Sequence, residues 1–374
     1  MSREIAKNIA LSLISTLVML FLLEMVLRVT AVVPARSLEY VKASQWAEIP
    51  GPLAPNQSYT DSFKRRLPFT VTTNNLGLRG EDTTLAKPAG TVRVLCLGDS
   101  YTFGAFVNDA ETWPAQLQAT LRERNPDRPI EVINGGISGF TIVDELAFLR
   151  EHGLALEPDA VVVAFVLNDL ADLTRRVSSR EMLRRSAEEQ ESSSLAPVKR
   201  LLRRTAIYNM LFIARAWLAK ERGADPTVQE VDIRHLLAPT YDDQTLELFD
   251  RYRGHLLEMK TLLDGPAIGL VFMIYPFWEQ IARKEGDHAQ QRLARMAAEM
   301  GIPVLDLLPA YRKNDPTGRK YFHMPEDHHP SWRGYRTAAR QLAPIIEASL
   351  SWREQPALQP PPAAPAAGSG GIAP

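Results

Sequence analysis

The chain has 374 residues, which allows one large domain or two small ones, and its 45% hydrophobic and 23% charged content is ordinary for a folded protein. A formal net charge of −1 gives no reason to expect nucleic acid or another polyanion as a partner. The single cysteine, Cys96, excludes an intrachain disulfide framework and any multi-cysteine metal site. Because Cys96 lies in an apolar run, we expect it to be a buried structural thiol.

The N-terminal segment predicts a membrane-spanning helix. Residues 9–23 carry no charge, and the apolar character continues to Val33, interrupted by Glu24 and Arg28. Roughly 20 predominantly apolar residues span a bilayer, so residues 9–33 are long enough. Glu24 and Arg28 are four residues apart, in the order that favours an ion pair on one helical face.

A cleaved signal peptide is the alternative interpretation of this segment. No small-x-small cleavage site follows the uninterrupted apolar run promptly, so we favour an uncleaved signal anchor over residues 1–34. Arg3 and Lys7 precede the span, which predicts a cytoplasmic N-terminus and a main domain on the other side of the membrane.

Residues 35–90 predict a lead-in segment that packs on the main domain. Proline, glycine and asparagine punctuate it, and residues 69–73 predict one short strand. Residue spacing alone assigns no chemistry to this segment.

Residues 91–350 predict the main domain, in which short apolar runs alternate with longer helical patterns. The apolar runs are typical of parallel strands buried on both faces, and they lie at Val92–Leu97, Ile130–Ile133, Ala160–Val166, Gly269–Ile274 and Pro303–Leu307. The helical patterns lie at Glu111–Arg124, Val143–Glu151, Asp242–Leu263, Trp278–Met300 and Ser331–Leu350. This alternation predicts an α/β fold with a doubly wound parallel sheet of about five strands.

Residues 170–240 form an insertion that is too long for an ordinary crossover. Its first part is rich in arginine, and its second part, residues 206–218, is apolar at helical spacing. One interpretation is a lid or a helix lying on the anionic membrane surface. The other is a helical insertion packed on the domain with a solvated basic face. The tail, residues 351–374, is rich in proline, alanine and glycine and is predicted to be disordered.

Four segments with chemically useful residues follow predicted strands: Gly98-Asp99-Ser100, Asn134-Gly135-Gly136-Ile137-Ser138-Gly139, Asn168-Asp169, and Glu326-Asp327-His328-His329-Pro330. The carboxyl ends of parallel strands border the crevice where ligands bind in such sheets. An ordinary strand-to-helix turn also uses glycine, aspartate and serine, so Gly98-Asp99-Ser100 alone leaves both interpretations open.

Together these segments supply the components of acyl transfer. A serine nucleophile needs a base, usually a histidine beside an acid, and Ser100 and His329 fit these roles. The oxyanion needs preorganised donors, which backbone N–H groups and the amide of Asn168 would provide.

The four segments resemble the conserved blocks of the SGNH (GDSL-like) hydrolases, and the resemblance covers about residues 74–350. It implies a three-layer α/β/α, flavodoxin-like fold with Ser100 as nucleophile. It further implies that Ser100, Gly139 and Asn168 form the oxyanion hole, and that Asp327 and His329 are the acid and the base. No metal and no cofactor are implied.

Two positions depart from the family pattern. Val166 stands where the third block usually has a glycine, and the last block reads Asp-x-His, a spacing found in the membrane-linked O-acetyltransferase branch. We therefore expect Asp327 to orient His329, with Glu326 as the alternative acid and His328 as the alternative base.

Three more residues carry expectations of a supporting kind. We expect His323 to be a surface residue, and Asp99 and Asp169 to stabilise their loops rather than react.

The sequence thus predicts a membrane-anchored serine esterase that faces the periplasm or cell exterior. Its expected substrate is an acyl, above all acetyl, ester of a carbohydrate or lipid, and we expect no nucleic acid partner. The alternatives are an O-acyltransferase that modifies a cell-surface polysaccharide and a non-catalytic binding protein on the same scaffold. A nucleotide-binding flavodoxin-like domain is disfavoured because residues 98–100 lack a glycine-rich phosphate loop.

Overall fold

The computed structural model describes residues 3–30, 38–42, 45–61, 68–175, 177–192, 194–195, 198, 201–202, 205–221, 233–282, 286–323 and 327–350. The predicted C-terminal tail, residues 351–374, and the alternative acid Glu326 lie outside the described residues.

A five-stranded parallel sheet forms the centre of the molecule. Its strands are β3 (Val92–Gly98), β4 (Ile130–Asn134), β5 (Ala160–Phe165), β6 (Gly269–Ile274) and β7 (Val304–Asp306), arranged in the order β4-β3-β5-β6-β7. Every neighbouring pair is parallel. Strand β5 is buried at all six positions, as its unbroken apolar run predicts.

Helices connect and cover these strands. They are α1 (Arg3–Thr30), α2 (Ser100–Phe103), α3 (Trp113–Arg124), α4 (Ile142–Phe148), α5 (Asn168–Asp172), α6 (Ser179–Ser192), α7 (Ala206–Glu221), α8 (Ile233–Leu236), α9 (Asp243–Asp264), α10 (Trp278–Ala282), α11 (His288–Glu299), α12 (Leu308–Asn314) and α13 (Trp332–Ser349). Helices α3 and α13 pack on each other and reach β4 and β6, whereas α4 and α9 pack on each other and reach β3 and β6. The predicted three-layer, doubly wound α/β fold is confirmed.

The lead-in segment contributes a separate two-stranded antiparallel sheet, β1 (Ser58–Asp61) with β2 (Phe69–Thr72). Beyond it, Arg79 forms single bridges with Thr73 and with Asn134 at the end of β4. The lead-in therefore reaches the carboxyl edge of the main sheet.

Helix α1 is long and apolar enough to cross a membrane. Its 28 residues include an 18-residue window of mean hydropathy 2.4, and none of that window is buried in the protein. This finding is compatible with the predicted signal anchor and also with a signal sequence.

The prediction of one continuous helix over residues 278–300 is wrong. The structure has two helices there, α10 and α11, and Gly286 between them has a φ of +63°. A residue in this left-handed region cannot continue a right-handed helix, so the chain turns before α11 begins.

Candidate active site

The candidate site lies at the carboxyl edge of the sheet, where the strand order reverses. The chain enters at β3, moves to β4 on one side and then crosses to β5 on the other side. Strand β3 ends at Gly98, and Ser100 follows it after one residue, Asp99. Asn168 is the first residue of α5, shortly after β5. This is the crevice in which doubly wound sheets bind ligands.

Ser100 is the first residue of α2, and Asp99 caps this short helix. The Asp99 carboxylate accepts a hydrogen bond from the Tyr101 backbone N–H at 2.8 Å. The helix ends at Gly104, whose N–H donates to the Ser100 carbonyl. Burial raises the pKa of Asp99, partly offset by hydrogen bonds from Asn168 and Tyr101. Asp99 therefore holds the turn that presents the serine hydroxyl.

The structure brings Ser100, His329 and Asp327 together. His329 Nε2 lies 2.8 Å from Ser100 Oγ, and His329 Nδ1 lies 2.5 Å from Asp327 Oδ1. The same aspartate oxygen accepts the His329 backbone N–H at 2.8 Å. Asp-x-His spacing thus lets one carboxylate oxygen hold both the ring and the backbone of the histidine.

The charge on Asp327 is stabilised by this arrangement. Burial acts to raise the pKa of Asp327, but the hydrogen bonds and charge of His329 outweigh it, and the pKa is lowered from its ordinary value. The carboxyl group is therefore ionised at neutral pH and suited to orient an imidazole.

The two other histidines of this region take different positions. His328 Nδ1 lies 3.6 Å from Glu279 Oε1, and the His328 carbonyl accepts the Tyr101 hydroxyl at 2.9 Å. The prediction that His323 is a surface residue is wrong. It is partly buried, packs edge-to-face on Phe106, and donates its backbone N–H to the His329 carbonyl, beside the antiparallel bridge between Phe322 and Pro330.

Two aromatic rings that the sequence analysis did not single out flank His329. The rings of Tyr101 and Phe106 each have their centroids 5.3 Å from the imidazole centroid. Phe106 has a φ of +64°, which is uncommon for a bulky residue. Only Tyr101 carried a sequence signal, since it directly follows Ser100.

Arg79 of the lead-in holds the backbone on which Phe106 is placed. Its side chain is 1% exposed and pairs with Asp109 at 2.7 Å. The guanidinium also donates to three carbonyls at the end of α2 and in the loop that follows it, those of Phe103, Gly104 and Val107, at 2.9, 2.5 and 2.6 Å. Burial lowers the pKa of Arg79 and Asp109 offsets that effect. In the sequence, Arg79 lies among turn-forming residues, and no motif marks it as important for the site.

The glycine-rich loop after β4 lies against α2. A Cβ at Gly136 would lie 2.4 Å from the Phe103 backbone nitrogen, so only glycine allows this approach. The Ile137 N–H donates to the Gly98 carbonyl at 3.0 Å. Among the described residues, the backbone N–H groups of Ser100 and Gly139 have no hydrogen-bond acceptor.

Residues at the start of the insertion hold the Gly139 carbonyl. The Ser179 hydroxyl donates to it at 2.5 Å, and Arg175 Nη1 donates to it at 3.3 Å and to Ser179 Oγ at 3.1 Å. Arg175 in turn pairs with Asp172 of α5 at 2.7 Å. Sequence reasoning missed this contact because it joins residues 40 positions apart.

Asn168 and Asp169 stabilise the turn after β5. The Asn168 amide donates to Asp99 Oδ2 at 3.0 Å, so it is tied to the residue before Ser100. Asp169 accepts the backbone N–H of Val166 at 3.0 Å, and Val166 itself is fully buried. The turn after β5 is therefore closed by a hydrogen bond, although Val166 stands where the family pattern has a glycine.

Further buried acids lie near this turn. Burial raises the pKa of Glu145 and of Asp169 well above the ordinary values, and nearby carboxyl groups add to both shifts. Cys96 is fully buried and its pKa is likewise raised by burial, as expected for a structural thiol. Among the residues that the structure describes, no group of three or more His, Cys, Asp or Glu side chains could hold a metal ion.

Comparison with known proteins assigns the family. The sequence model of the GDSL-like lipase/acylhydrolase family matches residues 96–337, more than half of the chain. This chain belongs to the GDSL-like lipase/acylhydrolase family. Membership makes the GDSL-like chain a hydrolase of carboxylic esters. No curated protein matches its sequence.

Several solved structures are similar to this GDSL-like chain. A protein of the G-D-S-L lipolytic family from Desulfitobacterium hafniense DCB-2 is 17% identical, with 68% of this chain and 99% of that chain covered and a TM-score of 0.40. The lipase/acylhydrolase from Enterococcus faecalis is 16% identical, with 69% and 97% covered and a TM-score of 0.42. A two-domain esterase active on acetylated mannans is 17% identical, with 70% and 50% covered and a TM-score of 0.42.

Proposed function

We propose that this GDSL-like hydrolase cleaves its ester through an acyl-enzyme on Ser100, with His329 as general base and Asp327 as the residue that orients it. The observation that carries the proposal is the continuous chain from Asp327 Oδ1 through both ring nitrogens of His329 to Ser100 Oγ. A nucleophile that contacts a base, with the base held by a third group, is the arrangement that activates a serine.

The first half of the reaction forms the acyl-enzyme. Ser100 Oγ attacks the ester carbonyl carbon while its proton passes to His329 Nε2. The tetrahedral intermediate then collapses, the bond to the alcohol oxygen breaks, and His329 Nε2 returns the proton to that oxygen. Asp327 keeps the other ring proton on Nδ1 and stabilises the imidazolium that forms between these steps.

The second half releases the acyl group. Water attacks the acyl carbon of Ser100, its proton passes to His329 Nε2, and the proton returns to Ser100 Oγ as the acid leaves. Hydrolysis therefore restores the starting protonation of all three residues.

The oxyanion of both tetrahedral intermediates is stabilised by backbone donors. The N–H groups of Ser100 and Gly139, which have no acceptor among the described residues, supply two hydrogen bonds. The side-chain amide of Asn168, which donates to Asp99 in this structure, is the third donor that we propose. Each such donor typically contributes about 100- to 1,000-fold in rate.

The substrate that we propose is a short-chain acyl, above all acetyl, ester of a carbohydrate or lipid outside the cytoplasm. The acetyl preference is proposed from the Asp-x-His spacing of Asp327 and His329, a spacing found in the O-acetyltransferase branch of the family. The apolar stretch of α1, with the basic residues Arg3 and Lys7 at the start of the same helix, supports a signal anchor with the catalytic domain in the periplasm or at the cell exterior.

The test compares Ser100→Ala with the wild type on a chromogenic acetyl ester and on longer acyl esters. We expect the variant to lose turnover by several orders of magnitude and the wild type to prefer acetyl. Undiminished turnover by Ser100→Ala would contradict the proposed nucleophile, and equal rates on long acyl chains would contradict the short-chain substrate.

Acyl transfer is the second candidate function, favoured by the Asp-x-His geometry in the last block and by the N-terminal helix. Product analysis with an oligosaccharide acceptor separates the two reactions. Transfer predicts an acylated oligosaccharide, whereas hydrolysis predicts only free acid.

A further inference from the structure

We propose that the second half of the insertion, which we call the insertion helix (α7), contacts the lipid bilayer beside α1 and so gives the catalytic domain a second membrane attachment. This inference concerns where the domain sits, and it does not depend on the assignment of Ser100. It does rest on α1 being a membrane helix.

The first observation is the contact that Glu24 makes inside an apolar helix. Its two carboxylate oxygens accept the backbone N–H groups of Ala206 and Ile207, at 2.9 and 3.0 Å. These are the first two residues of the insertion helix. The first N–H groups of a helix have no acceptor within the helix, and together with the helix dipole they favour a negative partner. Arg28 pairs with the same carboxylate at 2.7 Å.

This contact explains why an acid is tolerated near a membrane. An ionisable residue within a membrane helix is costly unless it has partners, and Glu24 has three. Helices α1 and α7 pack against each other at this point, and Leu27, one turn after Glu24, is buried. The end of the insertion helix is therefore held at the outer part of α1.

The second observation is a set of exposed apolar side chains in the insertion. Side chains with large exposed fractions are Leu195, Val198, Leu201, Leu202 and Leu211, the last at 60%. Such a surface is unfavourable in water. The apolar side chains of α1, which contacts the insertion helix, are likewise exposed along that helix.

Length and charge favour a position in the interface over a second span. The insertion helix has 16 residues, about 24 Å at 1.5 Å per residue, which is shorter than a hydrocarbon core of about 30 Å. The sequence immediately before it contains four basic residues, Lys199, Arg200, Arg203 and Arg204. Basic residues beside an apolar helix are typical of helices that lie in the headgroup region of anionic bilayers.

The first half of the insertion is attached elsewhere. The Arg180 backbone N–H of α6 donates to Asp144 of α4 at 2.9 Å, and the Ser179 hydroxyl binds the Gly139 carbonyl. The insertion thus contacts the catalytic domain through α6 and the membrane helix through α7.

The test measures the depth of single labelled positions in the full-length protein, reconstituted in phosphatidylcholine and phosphatidylglycerol vesicles. Cys96 is fully buried, so an introduced cysteine is the position that reacts with an environment-sensitive fluorophore. The variants are Leu211→Cys on the insertion helix, Leu17→Cys on α1, and Leu257→Cys on α9 as the matched exposed leucine of the soluble domain. Spin-labelled acyl chains in the vesicles quench only fluorophores that reach the lipid.

We expect strong quenching at positions 17 and 211 and none at position 257. Quenching at 211 as weak as at 257 would overturn the proposal, and so would an unquenched label at position 17. In the Leu211→Cys background, Glu24→Leu should abolish the quenching at 211, whereas Glu4→Leu, at the other end of α1, should leave it intact. Unchanged quenching in Glu24→Leu would overturn the role of Glu24. Retained ester hydrolysis shows that each variant is folded.

Discussion

The Ser179 hydroxyl donates a hydrogen bond of 2.5 Å to the Gly139 carbonyl, and so links the insertion to the loop beside Ser100. Gly139 has a φ of +81°, and its N–H is one of the proposed oxyanion donors. The insertion therefore helps to set the position of a group that acts in the proposed mechanism.

Ser179→Ala tests this link. We expect kcat to fall roughly 10-fold with little change in KM, less than the 100- to 1,000-fold typical of deleting an oxyanion donor, because Gly139 is loosened and not removed. Steady-state kinetics on an acetyl ester measures it. Ser178→Ala is the control, since the Ser178 hydroxyl accepts the Glu181 N–H of α6 at 3.2 Å and makes no hydrogen bond with Gly139 among the described residues. Equal kcat in both variants would show that Ser179 does not position the loop.

Asp327→Asn tests the orienting acid. The amide cannot stabilise the imidazolium and favours the wrong tautomer of His329, so we expect kcat to fall by up to roughly 10,000-fold. Glu326→Gln, the alternative acid one residue earlier, should retain activity. If Glu326→Gln lost activity and Asp327→Asn kept it, the acid would be Glu326.

Arg79→Lys tests the arginine under the nucleophile loop. Lysine keeps the charge opposite Asp109 but cannot reach the carbonyls of Phe103, Gly104 and Val107 at once. We expect the free energy of unfolding to fall by about 2–4 kcal/mol. Denaturant unfolding measures it, with Arg122→Lys as the control because Arg122 binds one carbonyl, that of Ile130. Equal stability of the two variants would contradict this account.

Glu145→Gln tests the buried acids beneath the site. Burial raises the folded-state pKa of Glu145 well above 4.5, so the folded protein holds a proton that the unfolded chain releases. This proton contributes stability below pH 4.5, and the contribution is lost as the pH rises towards the raised pKa. The free energy of unfolding of the wild type should therefore fall more steeply with pH than that of Glu145→Gln, by up to about 1.4 kcal/mol per pH unit.

Unfolding curves at a series of pH values above 4.5 measure this difference in slope. Glu123→Gln, at an exposed position of α3, is the matched control for the substitution. Parallel curves for the wild type and Glu145→Gln would contradict a raised pKa.

Much of the fold could be predicted because it depends on local patterns. The apolar run of residues 269–274 coincides with β6, and the helical pattern of residues 331–350 differs from α13 by one residue at each end. Helix boundaries set by turns were less accessible, as the break between α10 and α11 shows. Short helices such as α12 carry too few periods to be recognised.

The residues proposed to react could be singled out because each lies in a short motif, Ser100 just after β3 and Asp327 and His329 just before α13. The residues that position them could not. Arg79 and Ser179 act through contacts with carbonyl groups 25 and 40 residues away, and no local pattern marks such partners. The role of Glu24 was half visible: the sequence predicted its ion pair with Arg28 but not its contact with the insertion helix.

The most direct test of the proposed mechanism is the site of covalent labelling by a fluorophosphonate, which reacts with activated serines. Wild-type protein is treated with the probe, digested, and analysed by peptide mass spectrometry, with Ser100→Ala and His329→Ala treated in parallel. The mechanism predicts one adduct on Ser100, absent in Ser100→Ala and strongly reduced in His329→Ala. An adduct on another serine would contradict it. Full ester hydrolysis by protein in which every Ser100 carries the probe would contradict it as well.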